Sequence, residues 1–130
     1  MNKRLPKPQT EAQHQAAVVQ WAQQPAVRDK WPQLKLLYHV PNGGSRDQVE
    51  GAHLKRQGVK KGVPDLCLPV PRGRYHGLYI ELKTEKGKTG PEQEWWLREL
   101  NEQGYSAFVC RGWEAAVRTL EWYLELEAQI

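Results

Sequence analysis

Asp65-Leu66-Cys67-Leu68-Pro69-Val70, then Pro71-Arg72-Gly73-Arg74, then Gly77-Leu78-Tyr79-Ile80-Glu81-Leu82-Lys83-Thr84 is the stretch that decides the fold. Two apolar runs rich in strand formers flank a Pro/Gly/Arg-rich turn, which predicts a β-hairpin. Side chains alternate along a strand, so Glu81 and Lys83 project from one face and Leu82 from the other. Asp65 opens the neighbouring strand just past Pro64. The hairpin register therefore brings the Asp65 and Glu81 carboxylates together at one end of the sheet. Two adjacent carboxylates repel unless a cation sits between them. A hard divalent ion, Mg²⁺ or Mn²⁺, takes carboxylate and carbonyl oxygens and leaves positions for water and phosphate. With Lys83 placed to orient or help deprotonate a water, the set fits metal-assisted hydrolysis. An acid-x-basic pair on a strand is by itself usually a solvated ion pair worth about 0.2–1 kcal/mol. Asp65 at hairpin distance and the basic surroundings turn the reading toward chemistry.

Outward from the hairpin, helices and strands alternate. Thr10-Glu11-Ala12-Gln13 is a capping box, opening a helix to about Gln24 that Pro25 stops. Leu34 to Val40 reads as a strand, ended by the turn Pro41-Asn42-Gly43-Gly44. Ser45 caps a helix from Arg46 to Gln57, with Gly58 as its stop. Downstream, Thr89-Gly90-Pro91-Glu92 reads as a second capping box. Its helix runs to Gln103 with Gln93, Leu97 and Leu100 on the core side, and Gly104 ends it. Tyr105 to Cys110 is a last strand. Trp113 to about Glu127 is a last helix with Val117, Leu120 and Leu124 facing inward. The order α-β-α-β-β-α-β-α predicts an α/β fold, a single domain with a mixed central sheet flanked by helices. It is not doubly wound, because two strands join without a crossover helix.

The 130 residues predict one domain. Residues 1–9, with Pro6 and Pro8 among basic residues, read as a flexible basic arm, and residues 10–130 as the folded domain. With 39% hydrophobic and 26% charged residues, wholesale disorder is excluded. No apolar run approaches the roughly 20 residues that cross a bilayer, and no signal-type stretch follows the N-terminus. A soluble cytoplasmic protein is expected, with Cys67 and Cys110 as buried thiols in a reducing compartment. Charge is unevenly spread. Residues 1–42 carry six basic and two acidic side chains (net +4), residues 43–90 ten and five (net +5), and residues 91–130 three and eight (net −5). A basic front with an acidic tail points to a polyanion at one face.

Pro64-Asp65…Glu81-Leu82-Lys83 resembles the signature of the PD-(D/E)XK nuclease superfamily. The wider set resembles its VRR-NUC branch, the virus-type replication-repair nucleases: Glu11-x-x-x-Gln15, Pro41-Asn42-Gly43-Gly44, Gly58-Val59-Lys60-Lys61-Gly62-Val63-Pro64-Asp65-Leu66, and Pro91-Glu92-Gln93. That branch includes stand-alone phage and bacterial proteins and the nuclease domain of the eukaryotic Fanconi-associated nuclease. The resemblance covers about residues 10–125. It implies a restriction-endonuclease-like fold and a Mg²⁺- or Mn²⁺-dependent DNA endonuclease. Asp65 and Glu81 match the metal-binding acids, the Leu82 carbonyl a further ligand, and Lys83 the catalytic lysine. Glu11 matches a first-helix acid facing the metal directly or through water, although an acid in a first turn also complements the helix dipole. Gln15 and Gln93 match polar positions at the rim that orient the lysine, a water or a phosphate. Small members of the branch imply a homodimer acting on branched DNA, such as a four-way junction, in phage or bacterial replication and repair. A non-catalytic DNA-binding protein on the same fold is the competing class, and it would require none of the acids.

For DNA contact, Lys86 and Lys88 follow the catalytic strand directly, Lys60 and Lys61 precede Asp65 by a few residues, and Arg46, Lys55 and Arg56 lie upstream. Such contacts address the backbone and are salt-sensitive. His39 and His53 lack zinc-ligand spacing. The six tryptophans fall mostly on helices and read as core or interface, with one of Trp95 and Trp96 expected to mark a dimer contact.

Overall fold

The apolar alternation of the hairpin forms the centre of a sheet. The computed structural model describes residues 7–41 and 48–129. Strands β1 (Tyr38–His39), β2 (Leu66–Leu68), β3 (Leu78–Lys83) and β4 (Ser106–Arg111) lie in the order β1-β2-β3-β4. β2 is antiparallel to both β1 and β3. β3 and β4 are parallel, because α4 (Pro91–Glu102) carries the chain back between them. The sheet is therefore mixed and open, as the order of elements predicts.

Leu66 and Leu68 of β2 and Leu78, Ile80 and Leu82 of β3 enter the core from one face. Helices α1 (Glu11–Gln23) and α5 (Trp113–Glu125) cover that face. They contribute Val18, Ala22, Ala116, Leu120, Tyr123 and Leu124. Burying a large apolar side chain stabilises the fold by roughly 1.5–3 kcal/mol relative to exposure. The Tyr123 hydroxyl donates to the Val70 carbonyl at 2.6 Å, so its one polar atom is satisfied. The alternation that sends Leu78, Ile80 and Leu82 inward delivers Tyr79, Glu81 and Lys83 to the opposite face. α4 lies beside β4 on that side. Its Asn101 carboxamide donates to the Ala107 carbonyl and accepts the Ala107 N–H, occupying the edge of β4 that faces away from β3.

Several boundaries differ from the sequence expectation. Pro25 ends α1 but also begins a further helix, α2 (Pro25–Lys30). Gln24, extended at φ −63° and ψ 135° as the residue before a proline prefers, makes the break, and the ring's fixed φ suits the next first turn. Leu34 to Val40 is mostly not a strand. Pro32–Leu36 is a 3₁₀ helix with Leu34 buried, and only Tyr38–His39 pairs, because β2 offers just Cys67 and Leu66 as partners. The cap of α4 is Gly90, not Thr89. A residue before proline must be extended, so Pro91 at the first position fixes its neighbour as the cap. Only half of the box forms: Gln93 Oε1 accepts the Gly90 N–H at 2.8 Å, glycine has no side chain to return the bond, and Thr89 instead donates its hydroxyl to Glu94.

On the core side of α4 only Leu100 is fully buried, Gln93 and Leu97 being half-buried. On α5, Leu120 and Leu124 are buried and Val117 half-buried. α3 spans Gln48–Arg56; the expected cap Ser45, the turn Asn42-Gly43-Gly44, and residues 1–6 of the arm lie outside the described residues. Cys67 and Cys110 are buried free thiols, as expected. No helix among the described residues is long and apolar enough to cross a membrane.

Candidate active site

The register Leu66↔Ile80 and Cys67↔Tyr79, continued by one pair, sets Asp65 opposite Glu81. Asp65 does not continue the strand as a regular pair. Its Oδ2 accepts the Leu82 N–H at 2.7 Å, in place of a backbone carbonyl. Its own carbonyl accepts the Val40 N–H at 2.7 Å and a hydrogen bond from His39 Nδ1 at 2.9 Å. The acid is thus held through backbone and side chain at once. In an extended strand the N–H and C=O of one residue point to the same edge, so the Leu82 carbonyl also faces the Asp65 side.

Glu81 is 2% and Lys83 6% exposed. Glu81 Oε1 accepts from Gln93 Nε2 at 2.7 Å and lies 3.8 Å from Lys83 Nζ. Lys83 Nζ also lies 3.7 Å from Glu11 Oε1, on a carboxylate that is itself half exposed. Glu81 Oε2 is buried without a hydrogen-bond partner. A buried, unpartnered carboxylate oxygen is costly, and its environment records that cost. Burial, then the Asp65 carboxylate, pushes the Glu81 carboxyl up to about 8, against the lowering influence of Lys83. Burial likewise raises Asp65, only partly offset by the Leu82 N–H. Both shifts have the sign that a bound cation would reverse.

The donors are all oxygen: Asp65, the orphaned Glu81 Oε2 and the Leu82 carbonyl. That composition suits a hard divalent ion and not zinc. Among the described residues no group of three His, Cys, Asp and Glu side chains converges as a metal cluster, so two carboxylates form the core of the set and Glu11 stands at its lysine.

Asp65, Glu81, Leu82, Lys83, Glu11 and Gln93 are therefore brought together. Gln93 links the cap of α4 to Glu81, so it positions the acid. Gln15, one turn beyond Glu11, is half-buried on α1. Lys60 and Lys61 are exposed on the segment between α3 and β2, and Lys86 and Lys88 on the loop leaving β3. Arg46 lies outside the described residues.

Residues 9–114 match the VRR-NUC domain. The chain belongs to that family. A solved structure described as a VRR-NUC domain protein is 33% identical, with a TM-score of 0.77 over 94% of this chain and 93% of its own. A second, described as a VRR-NUC domain, is 20% identical with a TM-score of 0.51 over 85% and 97%, a likeness of fold alone. No curated protein matches the chain. The VRR-NUC domain is a nuclease-type, DNA-processing domain.

Two contributors to this VRR-NUC site escaped the sequence reading. His39, which without zinc-ligand spacing reads as an ordinary imidazole, holds Asp65 through its carbonyl. Arg111 donates to the carbonyls of Thr84, Glu85 and Gly87, fixing the loop that carries Lys86 and Lys88. The register Lys83↔Arg111 explains its placement, and nothing local in the sequence announces it.

Proposed function

We propose that this VRR-NUC domain, spanning residues 10–130, is a Mg²⁺- or Mn²⁺-dependent endonuclease that hydrolyses phosphodiester bonds in branched DNA. The observation that carries the reading is the pairing of half-buried Asp65 with buried Glu81, whose Oε2 is unpartnered and whose Oε1 has Lys83 Nζ beside it. A purely DNA-binding role would need none of these groups, and the acids would repel phosphate.

Asp65, Glu81 and the Leu82 carbonyl would hold the ion, with Glu11 adding to the set directly or through water. Once bound, the ion supplies Lewis-acid charge at a phosphoryl oxygen and a more acidic water. Lys83 Nζ, steadied by Glu11 and Glu81, orients the attacking water and stabilises charge on the phosphoryl oxygens. Gln93 keeps Glu81 in place. One P–O bond forms from water and one ester P–O bond breaks, leaving a phosphate monoester and a hydroxyl that takes up the proton. Lys60, Lys61, Lys86 and Lys88 bind the DNA backbone around the site. The preference for branched DNA and a two-fold dimer giving paired incisions follow from the family resemblance, as does a replication or repair setting in a bacterial or phage-infected cell.

The test is cleavage of a labelled four-way junction, beside linear duplex and single strand, with Mg²⁺, Mn²⁺ or EDTA. Cutting should require the ion, favour the junction, and fall at least about 100-fold in Lys83→Ala. Binding without cutting under every ion would overturn the reading. A monomeric mass in light scattering with DNA absent and present would remove the dimer.

A further inference from the structure

Between the loop before β2 and the first turns of α4 lies a recess of about 460 Å³, walled by Lys60, Lys61, Pro91, Glu92, Trp95 and Trp96. Its size falls within the roughly 300–1,000 Å³ of small-ligand sites. Trp95 is 48% exposed, unusual for so large an apolar ring. It stands perpendicular to Trp96, with ring centroids 5.3 Å apart. Trp96 does a different job: its Nε1–H donates to the Lys61 carbonyl at 3.1 Å, pinning the lysine-bearing loop to the helix. Gly62 completes the joint. It sits at φ +93°, and a Cβ there would lie 2.7 Å from the Glu92 carbonyl carbon. Two lysines outweigh the single Glu92, whose carboxylate turns back toward Gly90.

We infer that this recess is a binding site for an unpaired nucleotide of the substrate, with its base stacked on Trp95 and its phosphates on Lys60 and Lys61. An aromatic face takes any base without reading its identity, and flanking cations take the backbone. A nucleotide inside duplex DNA has no free face to offer, so the site favours strands that are open beside the cut. Its place in the fold supports that role. Gln93, which holds Glu81, lies three residues before Trp96, about 4.5 Å along α4. The carboxylates and the recess are thus served by different faces of one rigid helix, since Trp95, two residues after Gln93, is turned about 200° from it. The inference deepens the nuclease reading and rests on it for its place in the reaction, although binding is read separately.

Binding of a 15-nucleotide oligothymidylate, its abasic counterpart and a duplex is measured in EDTA by tryptophan fluorescence and anisotropy. Trp95→Ala should weaken the oligothymidylate about tenfold and leave the abasic strand and the duplex within twofold, and Trp95→Phe should retain most of the affinity. The Lys60→Ala/Lys61→Ala double variant should weaken all three and flatten their salt dependence. In the presence of the ion, Trp95→Ala should reduce the ratio of cleavage of a duplex carrying a single-stranded flap to cleavage of a linear duplex by a similar factor. If no ion supports cleavage but the oligothymidylate pattern holds, the nuclease reading fails and the site stands. Equal oligothymidylate binding by Trp95→Ala and the unaltered protein would overturn the site, as would equal loss on the abasic strand. A change of solution mass in Trp95→Ala with unchanged oligothymidylate binding would also overturn it, giving the surface to a second copy of the chain.

Discussion

Glu81 combines burial, an orphaned oxygen and a neighbouring carboxylate, and its titration couples to stability. Its folded value near 8 lies above the 4.5 of an ordinary glutamate. Between those values the folded state holds a proton that the unfolded chain has released, so stability falls as pH rises through that window. Metal-free protein should therefore melt at a lower temperature at pH 8 than at pH 5.5. Glu81→Gln should flatten the profile, and Mg²⁺ or Mn²⁺ at pH 8 should raise the melting temperature of the unaltered protein. Scanning fluorimetry across pH, with and without the ion, reads all three. Gln93→Ala removes the donor on Glu81 and should raise the ion concentration for half-maximal cleavage about 10–100-fold, with the circular dichroism spectrum unchanged. At this scale the carboxylate pair and the lysine were legible, because strand alternation and one hairpin determine where they point. The part played by His39 was not, since it acts through the Asp65 backbone across a strand pair that sequence shows only as a short apolar run.

The elements that hold the site are joined by a few close contacts. Gly62→Ala would force a side chain into a left-handed backbone and against α4. It should cost about 2–3 kcal/mol, read as a lower midpoint in urea unfolding. Arg111→Ala frees the carbonyls of Thr84, Glu85 and Gly87. Hydrogen exchange across residues 84–88 should accelerate and DNA binding weaken, with the rest of the exchange map unmoved. Element order was readable from periodicity and breakers, whereas boundaries went astray at proline. Pro25, Pro32 and Pro91 each begin a helical segment; Pro91 opens its helix as expected, whereas Pro25, read as a stop, is also a start. The first capping box at Thr10 and Gln13 formed as expected, and the second did not, because Pro91 makes its neighbour Gly90 the cap and leaves only the Gln93 bond to it.

Across the whole molecule, the chain carries a net charge of +4 with its acids concentrated toward the C-terminus. If Lys86 and Lys88 each neutralise one phosphate of a duplex, alanine at either should lower the steepness of log affinity against log salt by about 0.9. Titrations at several salt concentrations check this, and unchanged slopes would place both lysines off the DNA. The α/β class and mixed sheet were legible because one direct strand-to-strand connection and one helical crossover leave few topologies open. The joint between the Lys60–Lys61 loop and α4 was not legible, since it depends on a glycine's backbone angle and on an indole N–H that reaches a carbonyl 35 residues away in sequence.

Asn101 gives Ala107 of β4 the two hydrogen bonds that a fifth strand would have made. Exposed sheet borders invite pairing between molecules and seed fibrils. Beside Ala107 stand Phe108 and Val109, both exposed, which would reward such pairing. A single carboxamide thus stands guard over colloidal lifetime. Asn101→Ala should keep its melting profile close to that of the unaltered protein yet turn turbid sooner when concentrated and warmed, which means that the storage life of this enzyme is decided at a residue remote from its chemistry.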